Sequence, residues 1–220
     1  MSGNELFSDP DHTALLLVDI QPDFMAGGPL ATANGDAILP GVRRLMEARP
    51  CGVMVATQDW HPPGHVSFAS SHADRTPFET IEVHGHEQVL WPDHCVQGTA
   101  GAELVPGLPW DHADLILRKG CDPRVDSYSG FRNNWNAAGT RPHTGLAGYL
   151  RERGVHTVLV CGLARDVCVQ WTAEDAADAG FRVGFLWDLT RPVTHDNDQD
   201  CQQALQAANI DVLETTDLFH

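Results

Sequence analysis

The chain has 220 residues, 42% of them apolar and 20% charged. That length suits one α/β domain spanning residues 1–220, with ample material for a core and no signature of disorder. Fourteen basic against thirty acidic residues give a formal net charge of −16. Such a surface repels phosphate backbones and anionic lipid, which argues against nucleic acid or a membrane as partner. The longest apolar run near the start, Ala14 to Val18, is too short for a signal h-region or a membrane span. Six cysteines without such a leader point to reduced thiols and a cytoplasmic protein.

In chain order, Ala14–Val18 reads as a strand buried on both faces, ending at Asp19. Asn34 to Arg49 reads as a helix, with Asn34 or Asp36 as N-cap and Pro50 closing it. Val53–Thr57 is a second strand running into Asp59, and Leu115–Leu117 a third running into Lys119. A helix over Thr144–Arg153 precedes a fourth strand, Val155–Cys161, and a helix over Asp166–Ala179 precedes a fifth, Arg182–Trp187. The last helix is Asp198–Ala208, followed by a short strand at Asp211–Leu213. Strand and helix in alternation predict a three-layer αβα domain with a mostly parallel central sheet. Two stretches, Trp60–Gly101 and Gly120–Pro142, read as long irregular loops, and loops of that length inside a domain are usually functional.

In open α/β sheets ligands sit beyond the carboxyl ends of the strands. Those ends carry Asp19, Asp59 with His61, Lys119, and the turn Gly162–Cys168. Thirteen of the fourteen basic residues are arginine, so Lys119 is the sole lysine. A codon bias accounts for this; so does a confined site that needs a compact ammonium. Cys168 falls just inside a predicted helix N-terminus, where the dipole and free N–H groups lower a thiol pKa and can hold an oxyanion. A cysteine early in a helix is also commonly a small core residue, and Cys51, Cys95, Cys121, Cys161 and Cys201 read as core or loop residues.

Asp59 and His61, two apart on an extended strand end, aim to one side, and His94 is the most attractive third partner. Two histidines and one carboxylate make a facial metal set with open positions. Asp-x-His pairs also occur without metal, and His65, His72, His84 and His86 in the same loop take surface or capping roles by default. Phe24, Trp60, Trp91 and Tyr128 flank these motifs, either as loop packing or as an apolar pocket for a flat ligand.

Six segments together resemble the nicotinamidase branch of the isochorismatase-like cysteine hydrolases over nearly the whole length. They are Val18-Asp-Ile-Gln-Pro-Asp-Phe24, Thr57-Gln-Asp-Trp-His-Pro62, Trp91-Pro-Asp-His-Cys-Val-Gln-Gly-Thr99, Arg118-Lys-Gly120, Tyr128-Ser-Gly-Phe131 and Gly162-Leu-Ala-Arg-Asp-Val-Cys168. The resemblance implies Asp19, Lys119 and Cys168 as a catalytic triad, with an oxyanion hole from the N–H groups of Ala164 and Cys168. It implies one divalent metal on Asp59, His61 and His94, Zn²⁺ first and Fe²⁺ or Mn²⁺ as alternatives, with a water held by Ser67. Phe24, Trp91 and Tyr128 would line the substrate pocket, and the Leu163–Ala164 peptide would be cis. The implied reaction is hydrolysis of nicotinamide, and of analogues such as pyrazinamide, to the acid and ammonia through a thioester, in NAD salvage. A homo-oligomer is compatible with the resemblance.

Two residues depart from the family pattern. Arg165 stands where Thr is usual, placing a cation near the nucleophile, and Val167 stands where an aromatic residue or His is usual, reshaping a pocket wall. Related hydrolases acting on another small amide or on isochorismate are the alternative reading. A non-haem Fe(II) oxygenase would use the facial set but leave Cys168 and Lys119 unexplained, and a redox-sensing module would use Cys168 without turnover.

Overall fold

The computed structural model describes residues 9–218. Six strands form one parallel sheet: β1 (Thr13–Val18), β2 (Val53–Asp59), β5 (Leu115–Lys119), β6 (Thr157–Leu163), β7 (Arg182–Arg191) and β8 (Asp211–Leu213). Their order across the sheet is β5-β2-β1-β6-β7-β8. The chain therefore lays β2 and β5 on one side of β1, then returns to build β6, β7 and β8 on the other. The reversal lies between β1 and β6, which is the crevice where an open α/β sheet binds ligands.

Every residue of β1 and β2 is buried, as expected of central parallel strands covered on both faces. Alternate side chains enter opposite cores because successive residues of a strand point to opposite faces. Leu15 and Leu17 pack with Val42, Leu45 and Met46 of α1 (Leu39–Ala48). Ala14, Leu16 and Val18 pack on the other face. There they share a core with Leu146 and Leu150 of α2 (Leu146–Glu152), Ala173 and Ala176 of α3 (Gln170–Asp178), and Cys201 and Leu205 of α4 (Asp198–Ala207). Helices on both faces give the three-layer αβα arrangement that the alternation predicts. Each fully buried leucine contributes about 1.5–3 kcal/mol to holding the layers together.

Several boundaries differ from the sequence reading. The first helix begins as a 3-10 turn over Gly35–Ile38 and becomes α-helical at Leu39. Asn34 is left-handed and makes no side-chain cap, while the Asp36 carboxylate accepts from the Ala26 N–H instead. Asp166–Ala179 is not one regular helix: Arg165–Val169 form a π-helical turn, and α3 starts at Gln170. The stretch from Trp60 to Gly101 is not wholly irregular either. It contains an antiparallel ribbon of β3 (Thr80–Val83) and β4 (His86–Val89), joined by His84 and Gly85. Both turn residues have positive φ, 54° and 81°, as a two-residue type I′ hairpin turn requires. Among the described residues no helix is long and apolar enough to cross a membrane.

Candidate active site

Four strand ends converge at the reversal of the sheet. Asp19 follows β1, Asp59 ends β2, Lys119 ends β5, and the turn after β6 carries Cys168. In-register parallel pairing places Asp59 beside Lys119 and Val18 beside Gly162. Gly162 has φ +119°, and a Cβ there would lie 2.0 Å from the Val18 carbonyl oxygen. Only glycine lets β6 turn this close to β1. The next peptide, Leu163–Ala164, is cis, matching the implication of the resemblance.

Lys119 is the hub. It is 2% exposed, and its Nζ lies 2.8 Å from Asp19 Oδ2, 3.0 Å from Asp59 Oδ1, 2.9 Å from the Ser127 carbonyl and 3.5 Å from Cys168 Sγ. An arginine fork would not fit four partners set this tightly around one point, which explains why the single lysine stands here. Asp19 is fully buried with φ 47°, a left-handed conformation that aspartate tolerates better than most residues. The Thr57 hydroxyl donates to Asp19 Oδ1 at 2.6 Å.

Burial pushes the Asp19 carboxyl above the usual range, against the pull of Lys119. Burial likewise drives the Cys168 thiol well above its ordinary value, with the Lys119 ammonium opposing it. The sequence reading of a thiol lowered by a helix N-terminus is therefore corrected. Cys168 sits in a π turn beside two carboxylates, and desolvation outweighs the dipole. Lys119 is itself held well above its ordinary value: burial works downward, but Asp19 and Asp59 more than reverse it. At neutral pH the resting site thus holds a charged ammonium and a protonated thiol.

The Arg165 reading is also corrected. Its guanidinium donates to Thr190 Oγ1 at 2.8 Å, to Asp198 Oδ1 at 2.8 Å and to the Trp187 and Thr190 carbonyls, and it stacks 3.8 Å from the Trp187 ring centroid. These contacts tie the turn to β7 and α4 and point the charge away from the thiol.

Beside the triad, Asp59 Oδ2 lies 2.9 Å from His61 Nε2 and 3.4 Å from His94 Nε2. All three side chains are buried and offer ligand atoms within 4.8 Å of one another. Each histidine's other nitrogen is occupied: His61 Nδ1 donates to the Gly120 carbonyl at 3.0 Å and His94 Nδ1 to the Pro92 carbonyl at 2.8 Å. Such backbone bonds fix the tautomer that leaves Nε2 as a metal-binding lone pair. The donor types also fit: one carboxylate oxygen and two imidazole nitrogens, all buried, suit a divalent cation with open positions.

Gly120 supports this set by contact. A Cβ at its position, φ +67°, would lie 2.5 Å from His61 Cε1. Gly120→Ala is expected to displace the His61 ring and weaken divalent-metal affinity by about 10–100-fold, read by competition with a chelating indicator. Unchanged affinity would show that this contact does not hold the ring.

A pocket opens onto both groups. Phe24, Trp91 and Tyr128 line it, together with Ala164, Val167 and Cys168. Trp60 does not; it is covered by the Arg118 guanidinium, 3.9 Å from its ring centroid.

Three buried residues escaped the sequence reading. His65 is no surface histidine. It is fully buried, its ring 4.2 Å from that of His61, with Nδ1 taking the Ser67 hydroxyl at 2.7 Å. Asp126 lines the pocket, and Gln21 ties β1 to β2, its amide donating to the Asp59 carbonyl at 2.8 Å and accepting the Asp59 N–H at 2.7 Å. The segment Asp59-Trp-His-Pro-Pro-Gly-His-Val-Ser67 carried a usable signal for the first, because His65 and Ser67 stand two apart close behind a ligand pair.

Residues 13–217 match the isochorismatase domain. The chain belongs to the isochorismatase family. Among curated relatives of this family member, the nicotinamidase of Acinetobacter baylyi is 46% identical over 83% of both chains. Among solved structures, a nicotinamidase/pyrazinamidase of Acinetobacter baumanii is 43% identical, with TM-score 0.89 over 96% of this chain and 100% of that one. The pyrazinamidase of Pyrococcus horikoshii in complex with zinc is 34% identical, with TM-score 0.73 over 92% of this chain and 99% of that one.

Proposed function

We propose that this isochorismatase-family chain is a cytoplasmic nicotinamidase, hydrolysing nicotinamide and analogues such as pyrazinamide to the acid and ammonia in NAD salvage. The observation that carries the reading is Lys119 Nζ, which touches Asp19, Cys168 and Asp59 at once. That single contact set joins a nucleophile and its base to a metal-type cluster. The nicotinamidase names of the relatives support the substrate, and six free cysteines support the compartment.

The substrate's flat ring fits between Phe24, Trp91 and Tyr128, with its carboxamide carbon toward Cys168 Sγ. Asp59, His61 and His94 would hold one divalent ion, Zn²⁺ in the first instance, which supplies a Lewis-acid position for the ring nitrogen. Asp19 takes the thiol proton as sulfur attacks the carboxamide carbon, and the raised Cys168 pKa makes that base necessary. Lys119 offsets the charge on the new thiolate. The N–H groups of Ala164 and Cys168 receive the developing oxyanion. Asp19 returns its proton to the leaving ammonia, giving a thioester on Cys168. It then takes a proton from the water that cleaves this thioester, regenerating the thiol and releasing the carboxylic acid. General base and oxyanion donors each contribute about 10²–10⁴-fold, a scale suited to an unreactive amide.

The test is ammonia release from nicotinamide by purified protein, before and after chelation and after adding back Zn²⁺, Fe²⁺ or Mn²⁺. Turnover that falls at least about tenfold on metal removal and returns on addition is expected. Release from aliphatic amides but not nicotinamide would move the assignment to another small-amide hydrolase. Full activity after verified stripping would remove the metal from the reading.

A further inference from the structure

One buried side chain behind the pocket wall has no part in that chemistry. Gln88, 5% exposed, lies on β4 of the ribbon. Its Nε2 donates to Asp126 Oδ2 at 2.8 Å and to the Tyr128 phenol oxygen at 2.9 Å, and lies 2.8 Å from the Val89 carbonyl. Asp126 is fixed in turn, its Oδ1 accepting the Ser127 N–H at 2.8 Å. On the same phenol oxygen, Trp91 Nε1 donates at 3.3 Å. The Trp91 and Tyr128 rings meet edge to face, 6.2 Å apart at 80°.

A phenol oxygen has two lone pairs and one proton. Gln88 and Trp91 occupy both lone pairs, so the proton can point at neither donor. No protein acceptor takes it among the described residues. Burial, reinforced by the Asp126 charge, raises the Tyr128 pKa well above its ordinary value, so the proton stays on.

We infer that Gln88 is a positioning residue for substrate: anchored on Asp126, it fixes the Tyr128 ring and, through the shared phenol oxygen, the Trp91 ring as walls that receive the flat substrate. Asp126 has a role here too: a buried carboxylate that holds an amide in one orientation, so that the NH₂ face rather than the carbonyl meets the phenol.

The inference rests on the proposed function, and a double-mutant cycle separates the two. Gln88→Met keeps length and removes both donors; Tyr128→Phe keeps the ring and removes the hydroxyl. With nicotinamide and metal-loaded enzyme, Gln88→Met is expected to raise KM about tenfold with kcat within about twofold, since uniform binding is lost and the reacting groups are untouched. In the Tyr128→Phe background the same substitution is expected to raise KM by about threefold or less, because the group it acts through is gone. An equal factor in both backgrounds, or a loss in kcat with KM unchanged, overturns the inference. Gln88→Asn reads the same cycle should Gln88→Met not fold. A wild-type protein that releases no ammonia from nicotinamide overturns the proposed function, and this inference falls with it; normal wild-type turnover with no coupling overturns the inference alone.

Discussion

Replacing Cys168 by alanine is expected to lower kcat for nicotinamide by about 10⁴-fold or more while leaving the divalent-metal content unchanged. The size follows from what is lost. Cys168 is the one sulfur in the pocket, and Lys119, 3.5 Å from it, is held as an ammonium by Asp19 and Asp59. The selectivity follows from geometry: the metal-type set is built from Asp59, His61 and His94, and Cys168 is not among its donors. Ammonia release and metal analysis on the same preparation check both halves. Rates within tenfold of wild type would end the thioester route, and loss of metal together with activity would mean that the thiol supports the cluster directly.

Lys119→Met carries the second large effect, on stability as well as turnover. The ammonium faces Asp19 at 2.8 Å and Asp59 at 3.0 Å, all three side chains buried. Removing one partner of a buried pair leaves an uncompensated charge, which costs about 3–5 kcal/mol. Turnover should fall at least about 10³-fold, since nothing then balances the thiolate formed when Asp19 takes the proton. The pH dependence has a definite sign. Asp19 already has its folded pKa raised by burial, against the opposition of Lys119; without Lys119 it rises further above the unfolded value. The folded state then binds the extra proton, so stability is lost as pH rises through that raised value and recovered as pH falls. The penalty of Lys119→Met, measured by urea unfolding, should therefore be smaller at about pH 5 than at about pH 7. A penalty that grew on acidification would mean that Asp19 is ionised in the folded variant.

The structural readings that succeeded are those set by local chemistry. Ala14–Val18, an unbroken apolar run, fits only a strand covered on both faces. The alternation of strand and helix then implies a parallel sheet, whose strand ends carry Asp19, Asp59, Lys119 and the turn with Cys168. Asp59 and His61 stand two apart on one strand end, and folding brings His94 within 4.8 Å of them. The ribbon at Thr80–Val89 was legible in principle, from the His84-Gly85 turn between two short runs, but polar residues in those runs masked it.

Other features belong to the tertiary structure, because each depends on groups brought together from distant parts of the chain. Sequence alone put Arg165 next to the nucleophile, and a neighbour in sequence shares a turn but not a direction. Thr190 and Asp198, 25 and 33 residues on, pull its guanidinium the other way. The Cys168 thiol is raised rather than lowered for a related reason: burial and two carboxylates from other strands act on it, and both come from the fold. Asp126 and Gln88 carry no local mark in the sequence, their roles arising from burial against Tyr128. Residue types and their order determined the architecture and the chemistry this chain carries. Only folding decided which charges lose their water, and with it which groups hold their protons and which way each polar side chain points.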